Sequence, residues 1–140
     1  RMLEEVIANG KALEVFKEFV TAQGGDASVI DDPSKLEAAK YEIPVLAKED
    51  GYVAEIEADS IGTAAMILGA GRATKESIVD LAVGLMLHKK IGDEVKKGDT
   101  IVTILSYRED VADVMERIYA SYRISPVKTE EPILVHAEIH

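Results

Sequence analysis

The sequence contains no cysteine, which excludes disulfides, thiol catalysis and cysteine-ligated zinc at once. It is poor in basic residues, with 16 against 26 acidic ones and a formal net charge of −10. Neutralising nucleic acid or an anionic membrane needs clustered Lys and Arg, so neither surface is an expected partner. Long apolar runs are missing too: 47% of residues are hydrophobic, too many for disorder but too often interrupted by charge for a membrane span. No charged-then-apolar signal segment opens the chain, and the expected compartment is cytoplasmic. Internal repeats and low-complexity segments are also lacking. What is present is 140 residues, enough for one core and a small appendage.

The opening helix lacks a cap. The chain begins at Arg1, and Leu3, Val6 and Ile7 already follow helical spacing with no Ser, Thr, Asp or Asn before them. Asn9-Gly10 ends this helix, and a second carries Ala12, Val15, Phe16, Phe19 and Val20 on one stripe until Gln23-Gly24-Gly25-Asp26 stops it. Two such stripes offer too little surface for a core of their own. Residues 1–25 therefore read as the tail of a domain whose body lies elsewhere, and the uncapped, non-Met start is expected of an excised piece. Residues 26–40 form a linker, with Asp32 capping a short helix that has Pro33 at its first position.

From residue 41 the pattern changes to period two. Ile43, Val45 and Ala47 alternate with polar residues, as do Ala54, Ile56 and Ala58, and Glu49-Asp50-Gly51 between them predicts a hairpin. Ser60 is placed to cap a short apolar helix through Ile61, Ala64, Ala65 and Leu68. Leu81–Leu87 is apolar on both faces and predicts a strand buried on both sides. Val111, Val114, Met115, Ile118, Tyr119 and Tyr122 mark the best amphipathic helix, and Ile133–Ile139 predicts a final strand. The fold class is α+β over residues 41–140.

The most informative stretch is Lys90-Ile91-Gly92-Asp93-Glu94-Val95-Lys96-Lys97-Gly98-Asp99, followed by the apolar run Ile101–Leu105. Gly supplies positive φ and Asp bonds nearby backbone, so each Gly-Asp pair marks a tight turn. Two such turns around a short apolar link predict a compact corner. The pattern resembles biotinyl and lipoyl carrier domains, the barrel-sandwich hybrids. A carrier has its modified lysine at the following hairpin, and the counted position here is Arg108. A guanidinium stays protonated and cannot replace the acylated amine. The fold signal is present and the carrier chemistry is not.

Other candidate chemistry yields to simpler readings. Gly69-Ala70-Gly71-Arg72-Ala73-Thr74 suggests a phosphate loop, with Arg72 and Lys75 as counter-charges. Thr74 stands where a dinucleotide fingerprint needs its third Gly, and the Gly-Lys-Ser/Thr of a P-loop is missing. A structural turn is the better reading. His88, His136 and His140 lack partners at metal-ligand spacing. The acidic pairs Asp31-Asp32, Glu49-Asp50, Glu109-Asp110 and Glu130-Glu131 border turns and element ends, as solvated carboxylates do. Tyr119 and Tyr122 belong to the helical stripe and read as core or interface. No Ser, His and Asp arrangement stands out.

Taken together, Gly69–Glu76, Asp80-Leu81-Ala82-Val83-Gly84-Leu85 and the Gly92-Asp93/Gly98-Asp99 corner resemble the C-terminal domain of pyrimidine-nucleoside phosphorylases. Leu3–Ala12 and Phe16–Gly25 resemble the end of their central α/β domain. The resemblance covers essentially the whole chain in order. It implies three parts: helices of the α/β domain over 1–25, a linker over 26–40, and a barrel-sandwich-like C-terminal domain over 41–140. It also implies a homodimeric parent enzyme of nucleoside salvage that splits uridine, thymidine or deoxyuridine with phosphate, giving free base and a pentose 1-phosphate. Phosphate is the co-substrate, and a monovalent cation belongs to the parent's site. The family's phosphate loops and its Arg/Ser/Lys base-binding set do not occur in these residues. No catalytic, phosphate-binding, substrate-binding or metal residue is carried onto any position, and no cofactor is expected in this piece. The remaining chain would be its partner. The alternative is a stand-alone interaction or scaffold module of the same fold.

Overall fold

The computed structural model describes residues 1–72, 74–137 and 139. Ala73 of the glycine loop, Glu138 of the expected last strand and His140 lie outside them. The chain separates into two units, Arg1–Glu37 and Ala38–His140.

The first unit begins with α1 (Met2–Ala8) and α2 (Lys11–Ala22). Gly10 makes the bend between them at φ +81°, a conformation that costs glycine nothing. The Asn9 side chain accepts the Lys11 amide hydrogen at 3.0 Å, satisfying one of the free donors that open α2. Short α3 (Ser28–Asp31) follows, and Lys17 pairs with Asp31. Asp32 then accepts from the Ser34 amide at 3.2 Å and caps a single 3₁₀ turn, Pro33–Lys35, as expected. Leu3, Ile7, Phe16 and Phe19 remain largely exposed on the two long helices.

Among the described residues the second unit holds six strands in two antiparallel sheets. They are β1 (Tyr41–Leu46), β2 (Gly51–Ile56), β3 (Gly84–Leu87), β4 (Glu94–Val95), β5 (Thr100–Ser106) and β6 (Tyr122–Ser125). One sheet has the order β1-β5-β3 and the other β4-β2-β6. Helices α4 (Ala58–Ala65) and α5 (Ala112–Ser121) complete an α+β fold. Its core joins Val45, Val102 and Ile104 of the first sheet with Val53, Val95 and Tyr122 of the second. Ala64 of α4 and Val114 and Ile118 of α5 close it.

Four local expectations are corrected. Glu49-Asp50-Gly51 does not close a hairpin: β1 pairs with β5, while β2 pairs with β4 and β6. The Asp50 carboxylate instead accepts the Lys97 amide hydrogen at 2.7 Å, so the turn is a crossover bound to the corner. Ser60 is not the cap of α4, which starts after Glu57; Ser60 Oγ donates back to the Glu57 carboxylate at 3.0 Å. The Leu81–Leu87 strand shortens to Gly84–Leu87 and lies at a sheet edge. It has only one covered face, so Leu85 meets the core while Met86 is 53% exposed. Finally, among the described residues, Ile133–Ala137 joins neither sheet.

Candidate functional site

The Gly-Asp corner is built from two turns of one design. In Lys90–Asp93 the Asp93 amide donates to the Lys90 carbonyl at 3.1 Å, and the Lys90 amide donates to the Asp93 carboxylate at 2.7 Å. Lys96–Asp99 repeats both bonds, at 2.9 and 3.0 Å. Gly92 and Gly98 occupy the same place in each turn, with φ of +96° and +93°. Each glycine leaves its own N–H free to point outward, and each turn grips a strand with it. Gly92 N–H donates to the Val53 carbonyl and Val53 N–H donates to the Asp93 carbonyl, both at 2.9 Å. Gly98 and Asp99 hold Ala47 in the same manner, at 2.9 and 2.8 Å. One turn thus clasps the second sheet and the other extends the first.

Beyond the corner, β5 leads away from carrier geometry. The Ser106 hydroxyl accepts the Arg108 amide hydrogen at 3.1 Å, and the chain enters α5 instead of returning as a strand. The Arg108 guanidinium donates to both oxygens of Asp113 at 2.9 Å. That hydrogen bonding lowers the Asp113 carboxyl below its ordinary value. Arg108 is a fastening for the first turn of α5, and no amine stands at its position.

The glycine loop is closed at its base. A π-helical turn, Met66–Ala70, is kinked at Gly69 with φ +110°, and the Gly69 carbonyl accepts the Asp80 amide hydrogen at 2.9 Å. Asp80 in turn accepts from the Ala82 amide at 2.9 Å. Within the loop, the Thr74 amide donates to Ser77 Oγ and the Ser77 amide to the Thr74 carbonyl. These donors are committed internally, whereas a phosphate cradle needs them converging on the anion. Arg72 and Lys75 project outward, and neither has an ion-pair partner among the described residues. Ile78 and Leu81 beside them are 93% and 92% exposed. Sequence reasoning placed Leu81 in a buried strand and gave Ile78 no role.

The histidines are not brought together. His88 lies on the open face of the first sheet, its Nε2 2.8 Å from Thr103 Oγ1 across β5. An open hollow of about 570 Å³ adjoins them, with Glu42 and Pro44 on its other side. A hydroxyl activated by imidazole needs the second ring nitrogen held by another group; His88 has no such bond among the described residues. His136 is exposed in the segment after β6. Among the described residues no group of three His, Cys, Asp or Glu is placed to hold a metal ion.

Tyr119 and Tyr122 do structural work. Tyr119 donates to the Leu46 carbonyl at 2.8 Å, with the Lys48 ammonium 3.6 Å from its ring centre. Tyr122 is buried, which pushes its phenol up to about 12, with the nearby Asp93 charge adding to the effect. Both line a small cavity of about 160 Å³ with Lys48 and Glu49, and each hydroxyl is spent on a backbone carbonyl, Leu46 for Tyr119 and Lys89 for Tyr122.

Comparison with known proteins assigns this arrangement. The family described as "Pyrimidine nucleoside phosphorylase C-terminal domain" matches residues 52–125, from β2 through β6. The chain belongs to that family. Pyrimidine-nucleoside phosphorylase of Geobacillus stearothermophilus is 61% identical over 138 residues, 99% of this chain and 32% of the relative. The Bacillus subtilis enzyme of the same name is 57% identical over 137 residues, covering 98% and 31% respectively. That of Staphylococcus aureus strain USA300 is 49% identical over 135 residues. The chain therefore spans about a third of the length of these relatives. In this C-terminal domain, the twin-turn corner and the closed glycine loop are the features that resemblance to the phosphorylases had singled out.

Proposed function

We propose that this chain is the C-terminal part of a pyrimidine-nucleoside phosphorylase and acts in it as a non-catalytic structural module. The parent reversibly cleaves uridine, thymidine or deoxyuridine: phosphate oxygen bonds to the sugar C1 as the bond from C1 to the pyrimidine nitrogen breaks. The products are free base and a pentose 1-phosphate. Developing positive charge on the sugar and negative charge on the departing base require fixed donors and cations, which this reading assigns to the parts of the parent outside this chain. Homodimeric assembly, a cytoplasmic location, a role in nucleoside salvage and a monovalent cation belong to the same proposal.

The observation that carries it is identity of 61% along 99% of the chain to an enzyme of that name. The internal commitment of the Thr74 and Ser77 amides supports a structural role for the glycine loop. We place that loop at a contact with the rest of the parent, with Arg72 as its polar anchor. The test compares this chain with the full-length protein, each given uridine or thymidine plus phosphate. The full-length protein should release base. Turnover by the chain alone at about 1 s⁻¹ or faster would overturn the non-catalytic assignment, and an inactive full-length protein would overturn the enzyme assignment.

A further inference from the structure

Residues 128–137 leave β6 and cross the first turn of the corner. Glu131 packs so closely on Gly92 that a Cβ there would sit 2.6 Å from its Cγ. Pro132 and Leu134 border a cleft of about 340 Å³ against Ile56 and Ile91. Beyond Pro132 the chain presents Ile133, Leu134 and Val135, which are 70%, 88% and 68% exposed. No backbone hydrogen bond from residues 128–137 is formed among the described residues. Three consecutive large apolar side chains, two of them β-branched, have high strand propensity and an unpaired backbone.

The pattern says what kind of sheet would suit it. Strand β1 and residues 102–106 of β5 alternate between a core side and a more open side, as half-covered antiparallel sheets do, while the adjacent Ile101 and Val102 are both buried. Consecutive apolar residues instead fit a strand covered on both faces, the condition of sheets flanked by helices. The first unit shows helices of the covering sort: α1 and α2 expose Leu3, Ile7, Phe16 and Phe19. About two thirds of each relative's length lies outside this chain, so ample sequence exists to supply such a sheet.

We infer that Ile133–Ala137 is a donated strand, pairing with the edge of a helix-covered sheet in the part of the parent protein outside this chain. The C-terminal module is then joined to the rest by main-chain hydrogen bonds, with Glu131 on Gly92 fixing where the strand departs. Main-chain pairing gives affinity, and alternate side chains entering the two covering layers give register. This inference rests on the chain being part of a longer phosphorylase.

Amide hydrogen exchange of the peptide spanning 133–137 tests it, in the full-length protein and in this chain alone, with base release measured on the same full-length sample. Protection should be at least about 100-fold greater in the full-length protein. Leu134→Asp should abolish that difference. Equal, fast exchange in both proteins overturns the inference. So does protection already present in the isolated chain; if it rises with concentration, the segment pairs with a second copy. Base release reports separately on the enzymatic reading, so protection without activity, or activity without protection, identifies which of the two has failed.

Discussion

Tyr122 donates its hydroxyl hydrogen to the backbone carbonyl of Lys89 at 3.0 Å, tying the start of β6 to the approach of the corner. Burial, with the Asp93 charge, raises this phenol from 10.0 to about 12. In the unfolded chain it ionises near the ordinary value, so the unfolded state loses its proton first. The stability associated with neutral Tyr122 is complete below about pH 10 and is lost as pH rises toward 12. Denaturation followed across that window should show the decline. Tyr122→Phe should flatten it and cost about 1 kcal/mol at neutral pH.

The twin turns give a paired test. Gly98→Ala adds a methyl that meets nothing within 4 Å, so its cost is conformational, about 1–2 kcal/mol for a left-handed residue. Gly92→Ala bears the same cost and must also displace Glu131. Equilibrium unfolding should rank Gly92→Ala as the more damaging. Equal losses would mean that Glu131 yields freely.

Arg108 and Asp113 predict a titration. The carboxyl is held low, so its contribution is present above the ordinary carboxylate range and fades as pH falls through the lowered value. Arg108→Ala should move the Asp113 midpoint upward in a carbon-detected NMR titration. Wild-type protein expressed with biotin or lipoyl ligase should gain no mass at any lysine from Lys89 to Lys97, since these precede β5 and its outgoing turn.

Arg72 separates two roles for the glycine loop. If it anchors a contact with the rest of the parent, Arg72→Ala in the full-length enzyme should leave an acceptor unsatisfied, at about 1–3 kcal/mol. The melting temperature should fall while KM for phosphate stays nearly constant. A many-fold rise in that KM with unchanged melting would place the loop in the active site.

Signals carried by neighbours in sequence were legible; choices made between distant segments were not. Gly92-Asp93 and Gly98-Asp99 declare their turns because positive φ and the Asp-to-amide bond are satisfied within four residues. Asp32-Pro33 is legible for the same reason. Glu49-Asp50-Gly51 has the composition of a hairpin turn, but the partners of β1 and β2 lie far along the chain, in β5 for β1 and in β4 and β6 for β2, and the turn chemistry is indifferent to them. Strand β6 was hidden because Tyr122 falls on the helical period of α5 while also alternating with Ile124. Leu81 shared an apolar run with true core residues Ala82 and Val83, although its own side chain points to solvent. For the candidate site, the sequence identified the glycine loop and the identity of Arg108. It could not show that the Thr74 and Ser77 amides are used internally or that Arg108 grips Asp113.

The equivalence of the two clasps constrains how this family can change length. Ala47 and Val53 are separated by five residues, and so are their partners Asp93 and Asp99, which face them in reverse order. The two connecting links run side by side between fixed ends. An insertion into either alone would break one clasp or throw the strand beyond it out of register. Viable length variants should therefore carry compensating insertions or deletions in both links, while the glycine loop and the 26–40 linker vary independently.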